Sequence, residues 1–307
     1  MRPEPTIRQI RHFLALAETC HFGRAAEACF VTQSSLSASI KELEGVLGAL
    51  LFERTKRSVM LTALGQSMVE PATELLTRLD DLTDMAGSLR APLSGELRMG
   101  VIPTIGPFLL PRVMPALRQA YPDLRLYLRE ERTAPLLRQL AAGHLDLVMI
   151  ALPYALDNLT AFTFADDPFL AVFPRGHPIA NQEAVTLSRL AKDDLLVLEE
   201  GNCLTDQTLA MRGRPDMPAG SFQATSLHTL VQMVANGLGV SVLPKMAVDA
   251  GILRGLKLDF RPMSGARSAR QIALAWRKTS HRGDEFKLLG ECCRDELGTP
   301  VPRRRKR

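Results

Sequence analysis

The chain has 307 residues, 46% hydrophobic and 23% charged, which is enough for two or three cores of ordinary size and unlike a disordered or fibrous protein. No apolar run nears the roughly 20 residues of a membrane helix, and the N-terminal MRPEPTIRQIRHF has no secretory apolar region, so a cytoplasmic protein without membrane contact is expected. The net charge of +5 equals that of the last five residues, RRRKR, so charge alone assigns no nucleic-acid partner; the tail 301–307 reads as a solvated end able to add non-specific attraction to phosphates.

Residues 5–62 are dense in short helical patterns. Ile7, Ile10, Phe13, Leu14 and Ala17 recur at the spacing of one helix face. A second short helix fits GRAAEACF (23–30). Thr32 is an N-cap for a third helix, with Leu36, Ile40, Leu43 and Leu47 on one stripe. Helix, tight turn and helix at this spacing describe a helix-turn-helix from Phe22 to Lys41. LFERTKRSVMLT then reads as two extended pieces around a basic turn at Lys56 and Arg57, the layout of a wing.

In 63–90, Leu64, Met68, Ala72, Leu75, Leu79, Leu82, Ala86 and Leu89 alternate steps of four and three, a heptad seam that predicts a linker helix forming a homodimer. Pro71 should kink its early part. From 95 to 300 the texture is α/β. Strands are expected at 97–102, 124–128, 145–150, 169–173, 195–198, 239–244 and 272–276, with helices at 107–121 and 133–143. The alternation implies doubly wound sheets in two subdomains, I (95–167 plus 268–300) and II (168–267), with a ligand cleft between them.

The five cysteines, at 20, 29, 203, 292 and 293, have neither metal-ligand nor disulfide-framework spacing, so free thiols, no metal site and no cofactor are expected. Cys20 and Cys29 read as buried core filler. Lone His21 and His228 lack partners at ligand spacing. Cys203 follows the apolar run LLVL and opens a helical segment, where backbone N–H groups and the helix dipole lower a thiol pKa. Its polar neighbours Asn202, Thr205, Asp206 and Gln207 suit a reactive site. Glu199 and Glu200 oppose a thiolate, and Arg270, if brought close, would restore the balance.

The N-terminal stretch IRQIRHFLALAETCHFGRAAEACFVTQSSLSASIKELEGVLGALLFERTKRSVMLTALG resembles the DNA-binding domain of LysR-type transcriptional regulators, densely over about sixty residues. That resemblance implies an all-α winged helix-turn-helix, a long linker helix and an α/β regulatory domain of two periplasmic-binding-protein-like subdomains. It also implies a homotetramer, with RNA polymerase as a further partner. Gln33, Ser34, Ser35 and Ser37, beside Ser39, would read promoter DNA, while Lys41, Arg54, Lys56 and Arg57 suit phosphate or minor-groove contact.

Within the family, GVIPTIGPFLLP, EERTAPLLRQLAAGHLD, LEEGNCLTDQ and FQATSLHTLVQMVANGLGVSVLP are similar to the OxyR group of peroxide sensors. By that resemblance Cys203 is redox-active, and Thr104, Thr133, Asp206 and Arg270 form the shell around bound peroxide. Two positions depart from the group: Asn202 stands where it has histidine, and Arg212 where it has a resolving cysteine. A one-cysteine switch is therefore expected. The alternatives are a regulator of the same family whose cleft binds a small organic anion through Thr104, Thr133, Ser226 and Arg270, with Cys203 incidental, and a cysteine-nucleophile enzyme with His228 as base.

Overall fold

A computed structural model of the chain describes residues 4–54, 59–87, 91–190, 194–212, 223–265 and 267–298, and side chains there except 80, 81, 83–87, 211 and 212. The chain divides into two compact units, Met1–Leu89 and Arg90–Arg307.

Helix α1 (Ile7–Thr19) begins with a reciprocal cap: Thr6 Oγ1 accepts the Gln9 N–H at 3.2 Å, and Gln9 Oε1 accepts the Thr6 N–H at 2.8 Å. Phe13 and Leu16 fill its buried face. Ile7, expected on that stripe, is 43% exposed, because the first turn extends beyond the core. His21 caps α2 (Phe22–Ala28) by accepting the Gly23 and Arg24 N–H groups. Cys20 is the exposed left-handed C-cap of α1, and Cys29 the half-buried C-cap of α2. Cys20 corrects the expectation of core filler, because the helix ends there and its thiol falls on the rim, whereas Cys29 is partly buried and packs against the N-terminal core.

Thr32 caps α3 (Gln33–Leu47) through the Ser35 N–H at 3.2 Å, as its sequence position predicts. Leu36, Ile40 and Leu43 pack with Phe13, Leu16 and Phe52 in one core. Strands β1 (Phe52–Arg54) and β2 (Val59–Leu61) pair antiparallel, giving the wing its two sides. Helix α4 (Ala63–Gly87) runs on through Pro71. It starts close against the wing, since a Cβ at Gly65 would lie 2.2 Å from the Leu51 carbonyl oxygen. Its seam has two destinations: Met68 and Ala72 pack into the N-terminal core, whereas Leu75 and Leu82 are exposed.

The second unit carries β3 (Gly95–Val101), α5 (Gly106–Ala120), β4 (Leu124–Glu130), α6 (Thr133–Ala141), β5 (Leu147–Leu152), β6 (Leu159–Pro174), β7 (Val185–Thr186) and α7 (Leu187–Leu190). It continues through β8 (Val197–Leu198), α8 (Cys203–Arg212), β9 (Gln223–Ala224), α9 (Leu227–Ala235), β10 (Ser241–Pro244), α10 (Lys245–Asp249), β11 (Leu258–Ser264), β12 (Ala269–Arg277) and α11 (Gly283–Gly298). One sheet runs β4-β3-β5-β12-β6-β11-β7, with β10 also on β6. It is mixed rather than purely doubly wound: β3 pairs parallel with β4 and β5, but β12 is antiparallel to both β5 and β6.

The long β6 organises the site. Up to Pro168 it pairs with β12; from Phe169 it pairs with β10 and β11. Asp167 and Arg270 therefore face each other in register where the chain passes between the halves of the unit.

Candidate functional site: a buried thiol and a helix-turn-helix face

On α3, Gln33, Ser34, Ser35 and Lys41 are exposed and Ser37 half-exposed, with the Ser34 and Ser35 hydroxyls 3.0 and 2.8 Å from Thr32 Oγ1 at the surface. Ser39 is committed, because its Oγ lies 2.8 Å from His12 Nδ1 and ties α3 to α1. Arg54 is committed as well: it bonds Glu44 at 2.7 Å and covers the Phe22 ring at 5.3 Å from its centroid. Glu44, buried in the middle of the domain, also accepts the Leu51 N–H at 2.9 Å and the Phe52 N–H at 3.2 Å. It thereby fastens the wing to α3. Lys56, Arg57 and the tail 301–307 lie outside the described residues.

The thiol site is built where β8 turns into α8. Gly201, at φ +79°, supplies the left-handed turn that L side chains rarely adopt. Thr205 Oγ1 donates to the Leu198 carbonyl at 2.8 Å, pinning α8 to β8 and setting Cys203 at the helix's first position. The residue is only 5% exposed, and it belongs to the apolar core of the unit. Its polar sequence neighbours therefore do not describe its surroundings: Asn202 is buried, but Asp206 points outward and is exposed.

Arg270 is the largest fully buried side chain of the described residues. Its Nε donates to Asp167 Oδ2 at 3.0 Å, and its terminal nitrogens donate to Thr104 Oγ1 at 2.8 Å and the Thr104 carbonyl at 2.9 Å. Asp167 Oδ1 in turn accepts the Met246 N–H at 2.8 Å. Buried charges are tolerated only when paired and hydrogen-bonded, and this pair is both. Because Arg270 donates to the Thr104 hydroxyl oxygen, that hydroxyl's own proton is left to point elsewhere, and the hydroxyl favours the Cys203 thiolate. Thr133, at the first position of α6, presents a second buried hydroxyl that serves no other acceptor and acts on the sulfur. The N-terminal ends of α5, α6 and α8 thus meet around Cys203 through Thr104, Thr133 and the cysteine itself.

Burial pushes the thiol above its ordinary value, opposed by the Arg270 charge and by the Thr133 and Thr104 hydroxyls, while Asp206 adds to the rise. This corrects two expectations. The net direction is upward despite the helix N-terminus, since desolvation is the largest effect. The opposing carboxylate is Asp206, not Glu199: Glu199 is paired with Arg132 at 2.6 Å. Partial desolvation of its carboxyl, although the residue is exposed as a whole, and neighbouring Glu200 raise Asp206 itself.

Among the other expected residues, Ser226 is the N-cap of α9, its hydroxyl accepting the Thr229 N–H at 3.2 Å. His228 stacks on Phe108 at 5.9 Å between ring centres. Arg270, its charge already matched by Asp167, is poorly placed to pair an organic carboxylate. Sequence reasoning passed over Asp167, Glu44 and Arg132. For Asp167 a signal existed: FADDPFLAVF puts a carboxylate inside an apolar strand, where burial demands a cation.

Comparison with known proteins covers both units. Residues 7–66 match the model of the bacterial regulatory helix-turn-helix protein, lysR family, and residues 90–298 match the LysR substrate binding domain. The chain is 39% identical over 292 residues to the DNA-binding transcriptional dual regulator OxyR of Escherichia coli strain K12, covering 95% of each. It is 37% identical over 298 residues to a probable hydrogen peroxide-inducible genes activator of Streptomyces viridosporus, covering 96% of each. Among solved structures, a full-length OxyR variant from Pseudomonas aeruginosa superposes with a TM-score of 0.78 at 35% identity over 95% of each chain. An H2O2-bound mutant of Corynebacterium glutamicum OxyR gives 0.65 at 31% identity, over 97% of this chain and 94% of the other. These relatives are regulators, not enzymes.

Proposed function

The chain belongs to the LysR family of bacterial regulatory proteins, and from that premise we propose that it is a promoter-binding transcriptional activator that senses hydrogen peroxide through Cys203. The observation that carries the reading is the buried thiol ringed by Arg270, Thr104 and Thr133, each of which favours the thiolate. Arg270, Asp167 and Thr104 satisfy one another, but the buried Thr133 hydroxyl has no protein acceptor of its own.

In the proposed reaction the Cys203 sulfur attacks one peroxide oxygen. The S–O bond forms as the O–O bond breaks, the sulfur is oxidised by two electrons, and the departing hydroxide takes the proton that the thiol gives up and leaves as water. The Thr133 hydroxyl, without another acceptor, is placed to hydrogen-bond peroxide or the leaving oxygen. Arg270, held by Asp167, supplies positive potential without needing to move. The product is a sulfenic acid. With Arg212 in place of a resolving cysteine, it persists or forms a mixed disulfide with a small thiol or a distant cysteine, giving a one-cysteine switch. An oxygen added to a sulfur this buried must displace its neighbours, so oxidation should favour another arrangement of 202–212; unequal stability of two arrangements is what a switch needs.

The DNA-reading part rests on Gln33, Ser34, Ser35 and Ser37 for base edges and on Lys41, Lys56 and Arg57 for phosphates, with Arg54 holding the wing. A homodimer joined through α4, assembling further to a homotetramer, would span two half-sites and work with RNA polymerase. The test is a DNA footprint with and without peroxide. The wild type should change its footprint, Cys203→Ser should keep one footprint under both conditions, and Cys292→Ser/Cys293→Ser should respond as wild type. A Cys203→Ser protein that still responds fully would refute the proposal.

A further inference from the structure

We propose that Arg132 and Glu199 form a gate that selects by size what reaches the Cys203 sulfur, an inference resting on the reading of Cys203 as the reactive group. Arg132 is the N-cap of α6, one residue before the Thr133 that acts on the sulfur. Its guanidinium reaches to the turn that leads into α8, donating to Glu199 Oε2 at 2.6 Å and to the Glu200 carbonyl at 2.9 Å. It also lies over the turn itself, 3.6 Å from where a Cβ on Gly201 would stand. One side chain thus fastens the whole Glu199–Gly201 turn to the end of α6, and these are the two segments that lead directly into Cys203 and Thr133.

The two ionic links at the site differ in exposure. Arg270 and Asp167 are 0% and 3% exposed, whereas Arg132 and Glu199 are 40% and 39% exposed. A half-exposed pair is screened by salt and opens readily; a buried one does neither. The outer pair is therefore the link that yields first. The Arg132 guanidinium is committed to the Glu199 carboxylate and the Glu200 carbonyl, so its direct part is to hold the turn. Its effect is on passage: an oxidant the size of hydrogen peroxide enters on a small opening, while a bulky electrophile or peroxide needs the turn displaced.

The experiment measures alkylation of Cys203 in the full chain, read by mass spectrometry of its peptide, with iodoacetamide as the small reagent and fluorescein maleimide as the bulky one. In Arg132→Gln and Glu199→Gln, the bulky reagent should gain about fivefold over the small one, the scale of losing one exposed pair. Raising salt should shift the same ratio in the wild type, with no substitution to disturb folding, and should leave the variants unmoved. An unchanged ratio in variants and in salt would overturn the gate, as would both reagents speeding up together, which would mean altered thiol acidity or general loosening. If the ratio shifts as stated but peroxide leaves Cys203 untouched, the gate stands and peroxide sensing falls.

Discussion

Arg270 brings a permanent charge to a position with no exposed surface, and the structure answers it with Asp167 on one side and Thr104 on the other. Removing one member leaves the other charged and alone, so Arg270→Gln and Asp167→Asn should each cost about 3–5 kcal/mol in denaturant unfolding. Arg270→Gln should also raise the thiol further and slow peroxide oxidation of Cys203, by about tenfold for each unit of rise at pH below the thiol value. The pH dependence has a definite sign. Cys203 is raised by burial, and Cys293 is pushed up to about 12 from the ordinary 9.0 by burial and neighbouring Cys292. A raised group favours the fold fully below its unfolded value, and that contribution disappears as pH climbs toward the folded one. Thermal stability should therefore drop from pH about 9 toward 12, and Cys293→Ala should flatten part of the drop. Peroxide reactivity of Cys203 should move the opposite way, rising with pH as thiolate forms.

Helix α3 shows what local pattern can and cannot reveal. Its cap at Thr32 and its stripe of Leu36, Ile40 and Leu43 are legible because both follow from neighbours within the same helix. Thr32→Ala should cost about 1 kcal/mol of stability, measured by thermal unfolding, and weaken DNA binding by loosening the end of the helix that carries Gln33. Glu44 was not legible. In KELEG it reads as a solvated helical charge, and only the wing, folding back from Leu51 onward, buries it. Ser39 and Arg54 were read as DNA contacts for the same reason, since their partners His12 and Glu44 come from other elements. Glu44→Ala should release the wing and weaken DNA binding while circular dichroism shows unchanged helix content. Retained affinity would show that the wing holds without it.

At the scale of the whole molecule, strand runs such as LDLVMI and IALAW announce the core of the second unit, yet their order in the sheet does not follow from them. The antiparallel placement of β12 between β5 and β6 depends on pairings between residues more than a hundred positions apart, such as Arg270 with Asp167. Cys203 itself was legible as a position, by resemblance, but its burial was not, because the apolar residues around it come from the rest of the unit. Helix α4 keeps Leu75 and Leu82 at 45% and 63% exposure, apolar surface on the seam expected to join two copies. Leu75→Glu/Leu82→Glu should convert dimers to monomers in analytical ultracentrifugation, with the N-terminal core intact because Met68 and Ala72 already serve it.

The account turns on whether the Cys203 thiol meets peroxide, and mass spectrometry with a sulfenic-acid trap after a brief, low dose reads that directly. The prediction is rapid trapping on the Cys203 peptide, while the more accessible Cys20 and Cys29 stay unmodified. Exposure alone would order them the other way. Labelling of Cys20 first, with Cys203 silent at doses that oxidise free glutathione, would contradict the account and leave the thiol a packed core residue.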